Sequence, residues 1–352
     1  MITIGGKDIA DIVIDNKNVV KIQDAITLDI MWEKTSQENE YFYVENTYNG
    51  NNSIELKMYK SGYTSHTTND FVSYSYDKEN WTSVNVSTES TTTIPMTSGQ
   101  KVYMRNDRRM WNPNDTNFVS IYCTKTYNVG GDILSLVDYT DSTVTLTDYC
   151  FQHLFVKNPG YSENNNNLIN ASDLIMPSSV SRYCFSNMFD HCRNLISAPS
   201  LPAMTLANSC YDNMFYYCTS LTTPPSLPAM TLANWCYNAM FYNCTSLATA
   251  PALQATTLAN YCYESMFSGC TALTTAPALP ATTLYSNCYN SMFKWCSSLN
   301  SVTIYANDIS ATRCLEDWLQ DVAASGTFHN LGSATYTSGT SGIPSGWTEV
   351  HS

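Results

Sequence analysis

Cysteine is the residue type most able to do chemistry in this chain, and ten of its 13 cysteines stand in pairs eight residues apart. The pairs are Cys184 and Cys192, Cys210 and Cys218, Cys236 and Cys244, Cys262 and Cys270, and Cys288 and Cys296. Zinc would call for cysteines two to four residues apart or histidines at ligand spacing, and neither is present. If the segments carrying them are stacked helices, equivalent thiols would sit roughly 8–10 Å apart. That exceeds the ~4.4–6.8 Å between Cα atoms that a disulfide requires. An odd total also leaves one thiol unpaired. Free cysteine behaves as a small buried hydrophobe, so these spacings read as packing ladders.

Other reactive constellations are missing from the sequence. There is no Gly-rich phosphate loop, no His-Glu-x-x-His, no nucleophile elbow and no Cys-x-x-Cys. His66, His153, His191, His329 and His351 fall on different segments, and no paired carboxylates of the kind a glycosidase needs stand out. We therefore expect no catalytic residues, no metal site and no cofactor.

The cysteines mark a longer period. Met-Phe begins at 188, 214, 240, 266 and 292, always 26 residues apart, and both cysteine series keep that step. Cys314 in "CLEDWL" extends the register, and Cys150 in "CFQHLF" opens a degenerate copy followed by an insertion around "NPGYSENNNN". About seven units thus fill 150–330. In "TLANWCYNAMFYNCTSL", Cys236, Met240 and Cys244 lie four apart with Tyr237 and Phe241 alongside, a spacing that gathers apolar groups on one face of a helix. Pro199, Pro225, Pro251 and Pro277 then confine the rest of each unit to a short strand or extended stretch. Such a unit cannot bury its apolar face alone, which predicts a stacked array.

The segments "CTSLTTPPSLPAMTLANWCYNAMF" and "CTALTTAPALPATTLYSNCYNSMF", with the closing "SGIPSGWTEV", resemble the BspA-like leucine-rich repeats of gut bacteria and their phages. The resemblance covers about 150–350 and implies a leucine-rich-repeat-type solenoid used for adhesion or partner recognition, with no catalytic residues to transfer. The insertion in the first unit and the Trp-Leu pair in the last depart from the pattern, as capping repeats do.

Ahead of the repeats, residues 1–36 alternate apolar and polar positions. Ile12 and Ile14, with Asp11, Asp15 and "DNKN", read as two strands joined by a tight turn. This opening resembles the short β-rich attachment segments of phage tail and fibre proteins; it also reads as the first hairpin of the next domain. Residues 37–129 carry short runs such as "YFYVEN", "SIELKMYK" and "FVSIYCTKTY" between Asn, Gly and Ser clusters, the spacing of an antiparallel β-sandwich. Residues 130–149 read as linker and N-terminal cap, and 331–352 as C-terminal cap. The expected fold is therefore multidomain: an all-β N-terminal region of hairpin plus sandwich, then an α/β leucine-rich-repeat-type solenoid with 26-residue repeats.

The net charge is -13, from 17 Lys and Arg against 30 Asp and Glu. That balance argues against binding nucleic acid, which needs cations to displace counterions, and against docking on anionic lipid. The N-terminus shows no secretory signal pattern and no stretch is apolar enough to span a membrane.

Within the repeats the framework barely varies, whereas the helix face opposite the Cys-Met ladder does. It carries Tyr216, Tyr217, Trp235, Tyr242, Asn243, Tyr261 and Trp295. Outward positions vary freely when nothing packs on them, and some of these rings could cover neighbouring helices. Yet aromatics on an exposed face also suit sugar stacking or a protein interface, and we take these seven as the candidate ligand-binding residues. The strand face is the rival surface. The expected function is a non-enzymatic structural protein of a phage virion, a tail or head fibre. Its N-terminal region would meet other virion proteins, and its repeats a host-surface glycan or protein. A symmetric homo-oligomer, a trimer first among them, would follow. A bacterial surface adhesin binding host matrix or mucin is the alternative, and a polysaccharide-degrading enzyme a third.

Overall fold

The computed structural model describes residues 2–4, 7–9, 19–21, 31–33, 41–60, 69–106, 117–138, 146–157 and 164–351. Two compact units form, Met1–Glu40 and Tyr41–Ser352. In the first, β1 (Ile2–Ile4) pairs antiparallel with β2 (Lys7–Ile9), and β3 (Val19–Lys21) with β4 (Met31–Glu33). The turn expected at "DNKN" lies outside the described residues.

The second unit begins with β5 (Phe42–Asn46), β6 (Asn52–Lys60), β7 (Asn69–Ser75), β8 (Thr82–Ser87), β9 (Thr92–Met96), β10 (Lys101–Arg105), β11 (Asn117–Cys123) and β12 (Tyr127–Asp132). They build a three-stranded sheet, β11-β6-β9, and a sheet ordered β13-β12-β5-β10-β7-β8, in which β13 is Leu168–Ile175. The period-two alternation of a half-buried strand is plain in β5, where Phe42 and Val44 are buried, and in β10, where Val102 and Met104 are. Pro95 sits in β9, an edge strand, where its missing N–H breaks no ladder.

The expected separate antiparallel sandwich is not what forms. β12 pairs antiparallel with β5 on one side and parallel with β13 on the other, so the sheet runs on into the repeat region. Side chains fix this joint: the Asn165 amide donates to the Tyr127 hydroxyl and to the Phe155 carbonyl, both at 2.8 Å.

The expected α/β leucine-rich-repeat solenoid is also overturned. Among the described residues there is no α-helix, and the one helical element is a single 3-10 turn at Ile133–Leu136. The 26-residue units do stack as coils, joined by parallel bridges such as Ser197 to Thr223, Leu227 to Leu253 and Thr231 to Thr257. Where helices were expected, each coil instead runs as a ribbon of consecutive turns.

Residues 235–244 show how it works. Even-numbered residues donate backward within the ribbon: Cys236 to Ala233 (3.3 Å), Asn238 to Trp235 (3.3 Å), Met240 to Tyr237 (3.3 Å) and Cys244 to Phe241 (3.1 Å). Odd-numbered residues donate forward to the next coil: Trp235 to Asn260 (3.1 Å), Tyr237 to Cys262 (3.1 Å), Ala239 to Glu264 (2.8 Å) and Phe241 to Met266 (2.9 Å). Every fourth residue turns left-handed, with φ of 54° at Trp235, 47° at Ala239 and 55° at Asn243. A four-residue turn period returns Cys236, Met240 and Cys244 to one side, just as a helix would, and that coincidence misled the sequence reading.

Stacking places like side chains over like. Phe155, Phe189, Phe215, Phe241, Phe267 and Phe293 form a column with ring centroids 5.1–5.7 Å apart. Tyr211, Tyr237, Tyr263 and Tyr289 form another at 5.8–6.0 Å. The two cysteine series are further columns, every one buried and none in a disulfide. Parallel strands β14 (Ser301–Ile304), β15 (Gly326–Asn330) and β16 (Trp347–Val350) close the far end.

Candidate functional site

The candidate residues lie on the turn ribbon: Tyr217, Trp235, Asn243, Tyr261 and Trp295 at left-handed corners, Tyr216 and Tyr242 each one residue before a corner. Corner residues repeat at three places per coil: Ser209, Asn213 and Tyr217 in one coil, Trp235, Ala239 and Asn243 in the next, then Tyr261, Ser265 and Gly269. Adjacent coils in a parallel stack step about 4.8 Å. Rings at equivalent corners therefore meet face to face.

Trp235 and Tyr261 do so, with centroids 4.6 Å apart and planes 13° from parallel. Trp235 keeps 38% of its surface exposed. Tyr149 and Tyr183 occupy the same column nearer the N-terminus, stacked at 4.9 Å, with the Arg182 guanidinium 5.3 Å from the Tyr183 ring.

The second group is Tyr216, Tyr217 and Tyr242, mutually 4.8–5.9 Å apart. The sequence reading missed its fourth member: His191 stacks on Tyr217 at 4.8 Å and bonds through Nδ1 to Asp190 at 2.5 Å. Asn243 follows Tyr217 in its column and leans over Gly269, where a Cβ would lie 1.9 Å from the Asn243 Oδ1. Trp295 is exposed beyond Gly269, its ring 5.0 Å from the Lys294 ammonium. The structure thus gathers Trp235 with Tyr261, and Tyr216 with Tyr217, Tyr242 and Asn243, but sets Trp295 apart. All sit on turns rather than on a helix face.

Beside the Trp235 column runs a polar row that keeps the 26-residue step: Asp212, Asn238, Glu264, Asn290 and Glu316. Acids and amides alternate along it. Asp212 Oδ1 accepts from Asn238 (2.8 Å) and Asn213 (3.0 Å), while the Asn290 amide donates to Glu316 (3.2 Å) and to Asn287 (3.1 Å). Burial pushes the Asp212 carboxyl up to about 6 against the pull of its two amide donors. The Glu264 carboxyl is raised too, by burial and the charge of Asp212, with Arg313 opposing.

The thiols offer no chemistry at neutral pH. Burial lifts Cys210, Cys262 and Cys296 to about 12, far from the thiolate that a nucleophile or metal ligand requires. His153 is pushed down to about 4 by burial, against the charge of Asp190. No group of three or more His, Cys, Asp or Glu able to hold a metal ion forms among the described residues, and no helix there is long and apolar enough to cross a membrane.

Comparison with protein families, with curated proteins and with solved structures finds no match to this chain. What the face offers is therefore read from its own chemistry: ring faces, hydroxyls and carboxylate acceptors on a backbone pinned by main-chain bonds.

Proposed function

We propose that this protein is a recognition and structural component of a surface appendage, a virion fibre in the first instance, whose outward turn face contacts a host-surface receptor. The observation that carries this is the Trp235–Tyr261 stack, a partly exposed aromatic platform on a rigid scaffold. Solvent-facing turns have no packing need for indole and phenol rings, and aromatics on rigid backbone supply contact area at low entropic cost. The resemblance of the repeat segments to adhesive repeats of gut bacteria and their phages supports the same reading. So does the acidity of the chain, which disfavours nucleic acid and anionic lipid as partners.

Antibody against residues 132–352, applied to purified phage particles and to intact cells, tests the placement. Label on particles is the expected result. Label on uninfected cell envelopes favours a bacterial adhesin instead, and label on neither overturns both. The contact face is tested by a Trp235→Ala, Tyr261→Ala double variant, expected to lose adsorption to host cells while melting in one cooperative transition.

A further inference from the structure

Asn243 behaves unlike the other asparagines at the left-handed corners. Asn187, Asn213 and Asn287 each donate through Nδ2 to the side chain just before them, Ser186 (2.7 Å), Asp212 (3.0 Å) and Ser286 (2.9 Å). Tyr242 precedes Asn243, and its ring is stacked on Tyr216 instead. Among the described residues no partner takes the Asn243 amide, which is open to water. Its Oδ1 lies 1.9 Å from where a Cβ of Gly269 would be. Gly269 is the one glycine at a ribbon corner among the described residues, and it leaves the room into which this amide leans.

The next corner of that column is Trp295. Because the Asn243 Oδ1 occupies the Cβ place of residue 269, it stands one coil step, ~4.8 Å, from the Cβ of Trp295. The two faces of that indole differ. Lys294 holds its ammonium over the ring, 5.0 Å from the centroid, and bonds Asp317 in the following coil at 3.2 Å, so it attends the face that looks that way. The face toward Gly269 meets no side chain from that residue, since glycine has none, and Trp295 keeps 44% of its surface exposed. An amide floor and an indole wall thus meet at a corner, both on the Gly269 side of Trp295.

We infer that this corner binds one pyranose ring of a neutral glycan, its C–H face on Trp295 and two adjacent hydroxyls on the Asn243 amide. The inference rests on the recognition reading above and adds to it a second site with a stated ligand class. A carboxamide offers a donor and an acceptor side by side, and a hydroxyl can serve either, so adjacent sugar hydroxyls satisfy both ends at once. The indole supplies apolar area for the C–H face, and the amide fixes the orientation of the ring. A cationic ligand would compete with the ammonium already on this indole, and an anionic one would find that ammonium paired with Asp317.

Affinity electrophoresis of the full chain in gels cast with laminarin, mannan, dextran, alginate or poly-L-proline tests this. Alginate stands for an acidic glycan, and poly-L-proline for a peptide that docks on exposed rings. We expect retardation by at least one of the three neutral polysaccharides and by neither of the other two. Trp295→Ala should abolish it, and Trp295→Tyr, which keeps a ring, should retain it in part. Asn243→Ala should weaken it at least tenfold with an unchanged melting temperature, since that amide bonds nothing in the fold. Tyr305→Ala, which removes an exposed ring outside the ribbons, should leave it as in wild type. Retardation that survives Trp295→Ala or Asn243→Ala, that appears only with alginate or poly-L-proline, or that appears in no gel would overturn the neutral-sugar inference. Host-cell adsorption by the Trp235→Ala, Tyr261→Ala double variant tells that failure from failure of the recognition reading. Adsorption lost there retains the contact face whatever the gels show; adsorption unchanged removes that face.

Discussion

The Cys244 thiol donates to the main-chain oxygen of Phe215, 3.2 Å away in the preceding coil. The same bond recurs from Cys218 to Phe189 (3.1 Å), Cys270 to Phe241 (3.1 Å) and Cys296 to Phe267 (3.0 Å), so the second thiol column stitches coils together. Cys236, in the first column, has no such partner in the coil behind it. Serine at 244 inherits a ready acceptor, whereas serine at 236 buries a hydroxyl without one. We expect Cys244→Ser to cost less than about 1 kcal/mol and Cys236→Ser about 1–3 kcal/mol, read by urea denaturation. Equal costs would show that the sulfur bond contributes nothing.

Thiol titration gives a second prediction. All 13 cysteines are buried and unpaired, and burial holds the repeat thiols protonated. A disulfide reagent should find almost none in the native protein at about pH 8 and the full set in denaturant. Reductant should leave the melting temperature unchanged.

Asp212 predicts an unusual pH response. Its folded pKa, about 6, lies above its ordinary 3.8. The folded state therefore binds the proton more tightly than the unfolded chain, and this group's contribution to stability is greatest below about pH 4 and lost as pH rises through about 6. Asp212→Asn keeps an Oδ1 for both amide donors and removes the charge. It should match wild type near pH 4 and exceed it by about 1–3 kcal/mol near pH 7.5. A constant difference across that range would place the effect elsewhere.

Gly269 predicts a coupled pair. The corresponding corner carries Tyr217, Asn243 and Trp295 in other coils, all left-handed, so positive φ alone does not demand glycine. The obstruction is the Asn243 side chain, 1.9 Å from where a Cβ would be. Gly269→Ala should cost about 1–2 kcal/mol in backbone strain and displaced amide. Adding Asn243→Ala should recover part of that, and strictly additive losses would show no contact between the two.

The 26-residue period and the inward Cys, Met and Phe positions were legible in the sequence because like residues must stack on like. The turn ribbon was not, because its four-residue step imitates helical spacing. A signal against helix was present: the corners hold Asn187, Asn213, Asn243, Asn287, Asp317 and Asp321, residues that tolerate left-handed backbone and are poor in helix interiors. The aromatic candidates were identified by type and by their place opposite the Cys-Met ladder. Their division into two patches depended on which coils face which.

The alternation of donors carries one last consequence. Odd residues bond the neighbouring coil and even residues bond their own, and 26 is an even number, so each position keeps its role from coil to coil. One inserted residue would exchange every role downstream within its ribbon and strand the donors of two coils. Change by whole units breaks nothing. The array can therefore lengthen by duplication in increments of about 4.8 Å, the spacing of a parallel ladder. Copying one whole unit therefore adds one coil to the stack and leaves every existing main-chain bond in place.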